Sequence, residues 1–325
     1  MSLKDDVLSE LSETEYVSGE ELAEKFGVSR NSVWKAVNQL RQQGNNIEAV
    51  TNKGYHLLTE PDLDEIDKDY ILNNITGDWK EIITFKKTKS TNEEAKQIAL
   101  SGEKGNRILI ADKQLGGKGR KGRVFFSPDK KGLYMSILLT NPDIKVEDAT
   151  LITSYTAVAT AKAVEKLCGN EVKIKWVNDL YMNDKKICGI LTEAGFDFES
   201  GTVDYVIIGI GINTLKSRLP KEIKDIATSI ENETGVKIFR NNLVTEIVNG
   251  IVNMPEALKT KDFLNTYREK SNVIGRNITV YYGNRVYNAK AVDIDDNAAL
   301  VVETGDGIET VNSGEVSIRL WKQRI

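Results

Sequence analysis

Histidine is almost missing from this sequence of 325 residues: His56 is the only one. A Ser-His-Asp or Cys-His catalytic set would have to rest on that residue alone, and a multi-histidine metal site is excluded. Cysteine is nearly as scarce. Cys168 and Cys188 cannot make a disulfide framework or a four-thiolate zinc site, so a reducing, cytoplasmic setting is the expectation. No apolar run approaches the ~18 residues that span a bilayer, and no membrane partner is expected. The opening residues Met1-Ser2-Leu3-Lys4-Asp5-Asp6 carry acids where a secretory signal is cationic and then apolar. A balance of 44 basic and 48 acidic side chains gives a net charge of −4. The chain as a whole therefore lacks the basic surface of a nonspecific nucleic-acid binder, while a local basic face remains allowed. Its chemistry must be carried by Lys, Arg, Asp, Glu, Asn and backbone amides. What is present, 40% apolar and 28% charged residues, fits a globular chain of two or three domains.

Residues 1–60 form one pattern. Ser18-Gly19-Glu20-Glu21 is a capping box that opens a short helix, and Gly27-Val28-Ser29 ends it. Ser29 then caps a second helix with apolar Val33, Val37 and Leu40, and an earlier stretch with Val7, Leu8 and Leu11 completes a three-helix core. Between Ser29 and Gln43 there are three basic residues and no acid, with Arg30, Asn31, Lys35, Asn38 and Arg41 along the helix. Such a face suits a recognition helix, with amides and guanidinium for base edges and cations for phosphates. Asn46–Val50 and Tyr55–Leu58, joined by Thr51-Asn52-Lys53-Gly54, read as a hairpin wing. The pattern is a winged helix-turn-helix, and DNA contacts are assigned to Ser29, Arg30, Asn31, Ser32, Trp34, Lys35, Asn38 and Lys53. His56, on the wing, is read as structural or as a minor backbone contact. The competing reading is a helical protein-interaction module whose basic face is only solvated.

Pro61 and the acidic run Asp62–Asp69 mark a linker into a central domain over 61–270. Strand-like Asn106–Ala111, Leu133–Leu139, Val172–Val177, Lys186–Glu193 and Val203–Ile210 alternate with helical segments such as Val146–Cys168, giving an α+β domain. Three clusters stand out. Ser90-Thr91-Asn92 precedes the helical run Glu93–Leu100, and these side chains either cap that helix or hydrogen-bond a small polar ring at its N-terminus. Gln114 leads into Gly116-Gly117-Lys118-Gly119-Arg120-Lys121-Gly122-Arg123, where glycines admit phosphate oxygens to backbone amides and cations neutralise them. The stretch lacks the Lys-Ser/Thr end of a Walker loop, and its alternative reading is a solvated loop. Lys173-Ile174-Lys175-Trp176-Val177-Asn178-Asp179 puts two lysines on one strand face ahead of an Asn-Asp turn, and Gly209-Ile210-Gly211-Ile212-Asn213 ends a strand with small residues. From 271 to 325, Ile278–Tyr282, Val286–Ile294, Leu300–Thr304 and Ile308–Val311 alternate with Gly-Asn, Asp-Asp-Asn and Gly-Asp-Gly turns, the pattern of a small β-barrel.

Taken in order, these motifs resemble the bifunctional biotin–protein ligases that also act as biotin operon repressors. The resemblance rests on Ser90-Thr91-Asn92, Gln114, the loop Gly117–Arg123, Lys175-Trp176-Val177-Asn178-Asp179, Gly189-Ile190-Leu191-Thr192-Glu193 and Gly209-Ile210-Gly211-Ile212-Asn213, together with the winged helix. It implies a multidomain α+β fold: an N-terminal winged helix-turn-helix, a central mixed α/β ligase domain of the class II synthetase/biotin ligase type, and a C-terminal SH3-like β-barrel. It implies that Ser90, Thr91, Asn92, Gln114, Lys118, Gly119, Arg120 and Lys175 bind biotin. Gly117, Gly119, Arg120, Gly122, Arg123, Asn178 and Asn213 would hold ATP and the adenylate, and Lys118, Arg120, Arg123 and Lys175 would serve catalysis. Three positions depart from the family: Lys118 stands for an Arg, Phe125 for a Trp and Val177 for a Pro. The first keeps the charge but loses a bidentate fork.

The implied reaction agrees with the scarcity of histidine. A carboxylate is already ionised at neutral pH, so its attack on the α-phosphate of ATP needs charge neutralisation and alignment rather than a general base. The resemblance implies ATP with Mg²⁺, whose ligands the sequence does not identify, biotin as substrate and biotinyl-5′-AMP as both intermediate and corepressor. It implies transfer to a lysine of a biotin carboxyl carrier domain, with Asp179 a candidate to assist the amine. It further implies operator DNA bound through residues 1–60 and a homodimer in the corepressor-bound state. Two rivals remain open at this point: a non-catalytic small-acid-sensing winged-helix transcription factor, and a ligase whose N-terminal module no longer binds DNA.

Overall fold

A computed structural model describes residues 3–11, 15–42, 45, 47–50, 53–57, 65–197, 201–283, 285–312 and 316–320. They divide into two compact units, Met1–Glu65 and Ile66–Ile325. The wing turn at Thr51 and Asn52, the strand ends at Asn46 and Leu58, the linker start at 61–64 and Asn284 lie outside the described residues.

In the first unit, helices α1 (Leu3–Glu10), α2 (Gly19–Phe26) and α3 (Arg30–Gln42) precede strands β1 (Ile47–Val50) and β2 (Gly54–Leu57). The capping box is formed: Ser18 Oγ accepts from the Glu20 and Glu21 amides, while Glu21 Oε2 accepts from the Ser18 amide at 3.1 Å. Gly27 ends α2 in the left-handed conformation at φ 61°, which turns the chain into α3. Ser29 Oγ accepts from the Ser32 amide at 3.1 Å and caps the second helix. Val7, Leu11, Leu22, Ala23, Val33, Ala36, Val37, Leu40 and Ile47 pack into one buried cluster. The wing is antiparallel, with Val50 opposite Gly54, and Val17 exchanges backbone hydrogen bonds with Tyr55 as a third rung.

The second unit is organised by a seven-stranded sheet in the order β3-β4-β5-β9-β8-β7-β6. Its strands are β3 (Glu81–Phe85), β4 (Arg107–Ala111), β5 (Gly132–Thr140), β6 (Lys173–Lys175), β7 (Asp179–Met182), β8 (Lys185–Asp197) and β9 (Thr202–Asn213). Only the β3–β4 pair is parallel. Helix Thr91–Leu100 covers one face, where Ala95 packs with Leu109, Leu138 and Ile207. Helix Leu151–Cys168 covers the other. Burial on both faces explains the unbroken Val206-Ile207-Ile208 run. Val146–Asp148, expected as helix, is a 3₁₀ turn ahead of Leu151, and β3, β7 and, in the C-terminal sheet below, the strand Val316–Leu320 go beyond the strands anticipated from sequence.

A second sheet, order β13-β12-β11-β10-β14, is formed by β10 (Asn277–Tyr282), β11 (Arg285–Ile294), β12 (Leu300–Thr304), β13 (Gly307–Val311) and β14 (Val316–Leu320). It is antiparallel throughout. Segment 271–325 sits inside the second unit, because Ile278, Ala291 and Leu300 belong to the same apolar cluster as Ile174, Trp176 and Leu264. Trp176 Nε1 donates to the Ala298 carbonyl at 3.0 Å and Arg268 Nε to the Ile294 carbonyl at 2.6 Å. A sheet this small buries too little apolar surface by itself, and the shared core supplies the remainder.

Candidate functional site

The face of the large sheet under helix Thr91–Leu100 carries its smallest side chains where β8 and β9 run side by side. Gly189 lies opposite Gly211, and Leu191 opposite Gly209. Here a narrow cleft opens, whose walls include Ser90, Thr91, Asn92, Gln114, Lys118, Phe125 and these glycines. The glycines are required by close approach. A Cβ at Gly209 would lie 2.1 Å from Asn92 Oδ1, and one at Gly211 would lie 2.5 Å from the Phe125 ring.

The polar wall is tightly ordered. Ser90 occupies the helix N-cap position without a capping side-chain bond, and Thr91 and Asn92 point into the buried interior, so the capping reading of this cluster does not hold. Gln114 Oε1 accepts from the Thr91 amide at 2.9 Å, and Gln114 Nε2 donates to Ser127 Oγ at 3.1 Å. Buried Ser136 donates to Asn92 Oδ1 at 2.7 Å and shares a hydroxyl–hydroxyl hydrogen bond of 2.7 Å with Thr91 Oγ1, and Asn92 Nδ2 donates to Glu193 Oε2 at 2.9 Å. Ser127 and Ser136 were not singled out from sequence, and Glu193 entered only as the last residue of the Gly189–Glu193 motif, with no role of its own. Each is an ordinary strand or loop residue there, and only the sheet register places it in the network. The result is a preorganised set of donors and acceptors facing a small-residue floor, suited to a neutral polar ring.

Cations converge at one end of the cleft. The glycine-rich stretch is a hairpin: Lys118 bridges Val124, Gly119 N donates to the Arg123 carbonyl at 2.7 Å, and Phe125 N to the Gly117 carbonyl at 2.8 Å. Lys121 and Gly122 form its tip at φ 56° and 72°. Gly117 cannot carry a side chain, since a Cβ would lie 2.5 Å from the Phe125 carbonyl oxygen. Arg120 folds inward. Burial pushes its guanidinium down from the ordinary arginine range, and Asp179 and Tyr267 act against that shift. Lys118 forms an ion pair with Glu93, while Arg123 stays exposed. Lys186 also reaches this end and was missed from sequence, where it is one of two adjacent lysines. Its Nζ is 2.6 Å from Asp179 Oδ1, 6.0 Å from the Phe125 ring centre and 3.0 Å from where a Gly189 Cβ would stand.

Other expected site residues are placed differently. Lys175 is paired with Asp179 across β6 and β7, and its Nζ lies 5.6 Å over the Tyr181 ring. Asn178 Nδ2 donates to the Ile190 carbonyl at 2.7 Å, and Asn213 Nδ2 to the Thr228 carbonyl at 2.9 Å, so both amides brace backbone beside the cleft. Asp179 is occupied with positioning Lys186. The Trp176–Val177 peptide is cis, and Tyr267 donates to the Val177 carbonyl at 2.9 Å.

In the first unit, α3 buries Val33, Ala36, Val37 and Leu40 and exposes Arg30, Asn31, Trp34 and Lys35, with Ser32 and Asn38 half-buried beside them. Trp34 is 53% exposed, unusual for a free tryptophan and suited to an apolar contact in a groove. Arg41 is withdrawn from this face because its Nε donates to the Ile47 carbonyl at 2.8 Å and ties helix to wing. At the wing, Lys53 Nζ sits 5.5 Å over the Tyr16 ring, and Tyr16 also stacks on His56 and hydrogen-bonds Glu48. His56 is thus part of a wing cluster, as a structural residue would be.

Fold and site together define a ligase type of domain that follows a helix-turn-helix. Models of three families match in order: an HTH domain over residues 4–56, the biotin/lipoate A/B protein ligase family over 84–213 and the biotin protein ligase C-terminal domain over 273–319. The chain is 34% identical to bifunctional ligase/repressor BirA of Bacillus subtilis, with 94% of each chain covered. It is 29% identical to that of Escherichia coli, with 95% of each covered. The biotin protein ligase of Aquifex aeolicus in complex with biotin and ATP superposes with a TM-score of 0.64 at 28% identity, covering 75% of this chain and all of the other. This chain belongs to the family of bifunctional biotin–protein ligases and repressors. Among the described residues no helix is long and apolar enough to cross a membrane.

Proposed function

We propose that residues 66–325 activate biotin with ATP in the cleft between helix Thr91–Leu100 and the glycine floor, and then pass it to a lysine of a biotin carboxyl carrier domain. The observation that carries this reading is the juxtaposition of a buried polar wall with Lys118, Arg120 and Lys186 at its open end. Ser90, Thr91, Asn92 and Gln114 bind the ureido ring, and Gly209 and Gly211 let Asn92 and Phe125 close down on the floor and shape the walls around the bicycle. The biotin carboxylate then points toward the cations, which draw the α-phosphate of ATP to it and neutralise the two anions as they meet. Arg120 and Lys186 act where burial lowers the local dielectric, so their charges count for more there than in water. Gly117, Gly119, Gly122 and Arg123 lay the hairpin over the adenylate. Asn178 and Asn213 hold the strand and the segment that flank it, and Lys175 adds a more distant positive charge. The acceptor amine attacks the acyl carbon of biotinyl-5′-AMP and AMP leaves.

Among the described residues no group of three or more His, Cys, Asp or Glu could hold a metal ion. Magnesium would therefore be held chiefly by the phosphates of ATP and by water, its usual mode in nucleotide sites. The test is incubation with biotin, ATP, Mg²⁺ and a carrier domain, followed by mass measurement of the carrier. A gain of one biotinyl group is expected, and an unchanged carrier mass contradicts the reading.

The first unit binds operator DNA, with α3 in the major groove and the wing on the backbone, and the adenylate acts as corepressor through a homodimer. Support for a dimer comes from β8. Its pairing with β7 reaches no further than Gly189, so among the described residues Leu191–Asp197 is laddered on one side only, by β9, and offers an edge to a second sheet. Two operator half-sites would then be held at once, which multiplies the affinity of a single weakly charged winged helix. Arg30→Ala is expected to weaken operator binding and to flatten its log–log salt dependence by about one phosphate contact, while carrier biotinylation stays unchanged. Filter binding at several salt concentrations beside the carrier assay checks this. Equal loss of both activities would contradict the assignment.

A further inference from the structure

We propose that Glu93 is a latch: by pairing with Lys118 it holds the glycine-rich hairpin over the cleft and slows escape of the activated intermediate. This rests on the ligase reading above and adds a positioning residue to it. Glu93 lies in the first turn of helix Thr91–Leu100, directly after the two side chains that face the cleft. Lys118 lines the same cleft and bridges Val124 across the hairpin, so a bond from Glu93 to Lys118 fastens the hairpin to the rigid wall of the site.

Three features make this more than a surface ion pair. The Glu93 side chain is only 24% exposed, against 50% for Lys118, so the anchor is the more fixed partner. A second lysine, Lys89, approaches Glu93 Oε2 at 3.3 Å. With two cations on it, Glu93 keeps a strong counter-charge while Lys118 shares its donors between Glu93 and a ligand anion. Hydrogen bonding to Lys118 also holds the Glu93 carboxyl below the usual carboxylate range and Lys118 above the usual lysine range. A carboxylate lowered in this way is ionised at any pH above its ordinary value, and a raised lysine remains charged up to its own. Both partners are therefore charged across the neutral range.

The chemistry also accounts for lysine at this position. An ammonium has three rotatable donors and can serve Glu93 and a ligand oxygen at once, whereas a guanidinium fork aligned on Glu93 would present its remaining donors in a fixed plane. One cation thus completes the site and locks its cover.

The experiment is dissociation of preformed, radiolabelled biotinyl-5′-AMP from the full chain, chased with unlabelled adenylate, in the wild type, Glu93→Gln and Lys89→Ala. Glu93→Gln is expected to release the adenylate about two- to fivefold faster, the scale of a partly exposed ion pair. Its release rate should also lose the acceleration by added salt that the wild type shows. Lys89→Ala should release it no faster than the wild type, since Glu93 keeps Lys118. A Glu93→Gln rate equal to the wild type, or a Lys89→Ala rate as fast as that of Glu93→Gln, would overturn the latch. A wild type that forms no adenylate from biotin and ATP would remove the ligase reading itself, an outcome distinct from either.

Discussion

Lys186→Ala should slow biotin-dependent exchange of pyrophosphate into ATP by about 10²–10³-fold, the range seen when one preorganised electrostatic group is removed. The reaction brings together a carboxylate and a phosphate that repel each other, and the barrier falls in proportion to fixed positive charge aimed at the meeting point. Lys186 is aimed by two neighbours. Asp179 holds its ammonium at 2.6 Å, and the Phe125 ring lies beneath it at 6.0 Å. Its backbone is fastened too, since Lys186 N donates to the Ile226 carbonyl at 2.9 Å and Thr228 N to the Lys186 carbonyl at 2.9 Å. A side chain positioned at both ends loses little entropy when the anions arrive. The substitution should act on kcat more than on the KM for biotin, because Lys186 stands outside the polar wall that holds the ring. Asp179→Asn should shift exchange in the same direction by a smaller factor. Exchange kinetics with an unchanged melting temperature would establish the effect, and a Lys186→Ala rate within threefold of the wild type would remove Lys186 from the machinery.

Much of the fold could be read from local patterns, because each was complete within a few residues. Ser18 to Glu21 formed the capping box, Gly27 the left-handed turn and Ser29 the second cap. Four of the C-terminal strands, β10 to β13, fell within a residue or two of their turn-bounded positions for the same reason, while β14 was not anticipated. The polar wall was legible in part: Ser90, Thr91, Asn92 and Gln114 carry a motif and Glu193 ends one, while the part that Ser136 and Glu193 play in the wall comes from the register that sets Ser136 opposite Gly209 and Glu193 opposite Ile207. Lys186 escaped notice for a further reason. The register shift between Leu180 and Tyr181 in the β7–β8 pair sets which of the adjacent lysines faces Asp179, and no side-chain periodicity announces a bulge. Whether 271–325 stands alone was also beyond the pattern, since a shared core is a property of two faces meeting rather than of either sequence.

Gly209→Ala should raise the KM for biotin about a hundredfold while leaving the sheet intact. Gly209 lies in the middle of β9, between β5 and β8, at an ordinary extended conformation that alanine adopts without backbone strain. The damage is therefore local, and it falls on Asn92, whose Oδ1 would stand 2.1 Å from the new methyl. Asn92 cannot simply swing aside. Ser136 donates to its Oδ1 at 2.7 Å, and its Nδ2 is held by Glu193 at 2.9 Å. Moving it leaves at least two buried polar groups without partners at ~1–3 kcal/mol each, and the wall that reads the ureido ring is lost with them. A total near ~3 kcal/mol corresponds to roughly a hundredfold in binding. Because the cations at the far end are untouched, kcat at saturating biotin should change little. Gly305→Ala is the matched control: nothing lies within 4 Å of its Cβ position, so it should leave KM unchanged. Steady-state exchange at increasing biotin separates the outcomes. A Gly209→Ala enzyme with normal KM would mean that biotin does not lie against Asn92, and the cleft would have to be assigned to another part of the substrate.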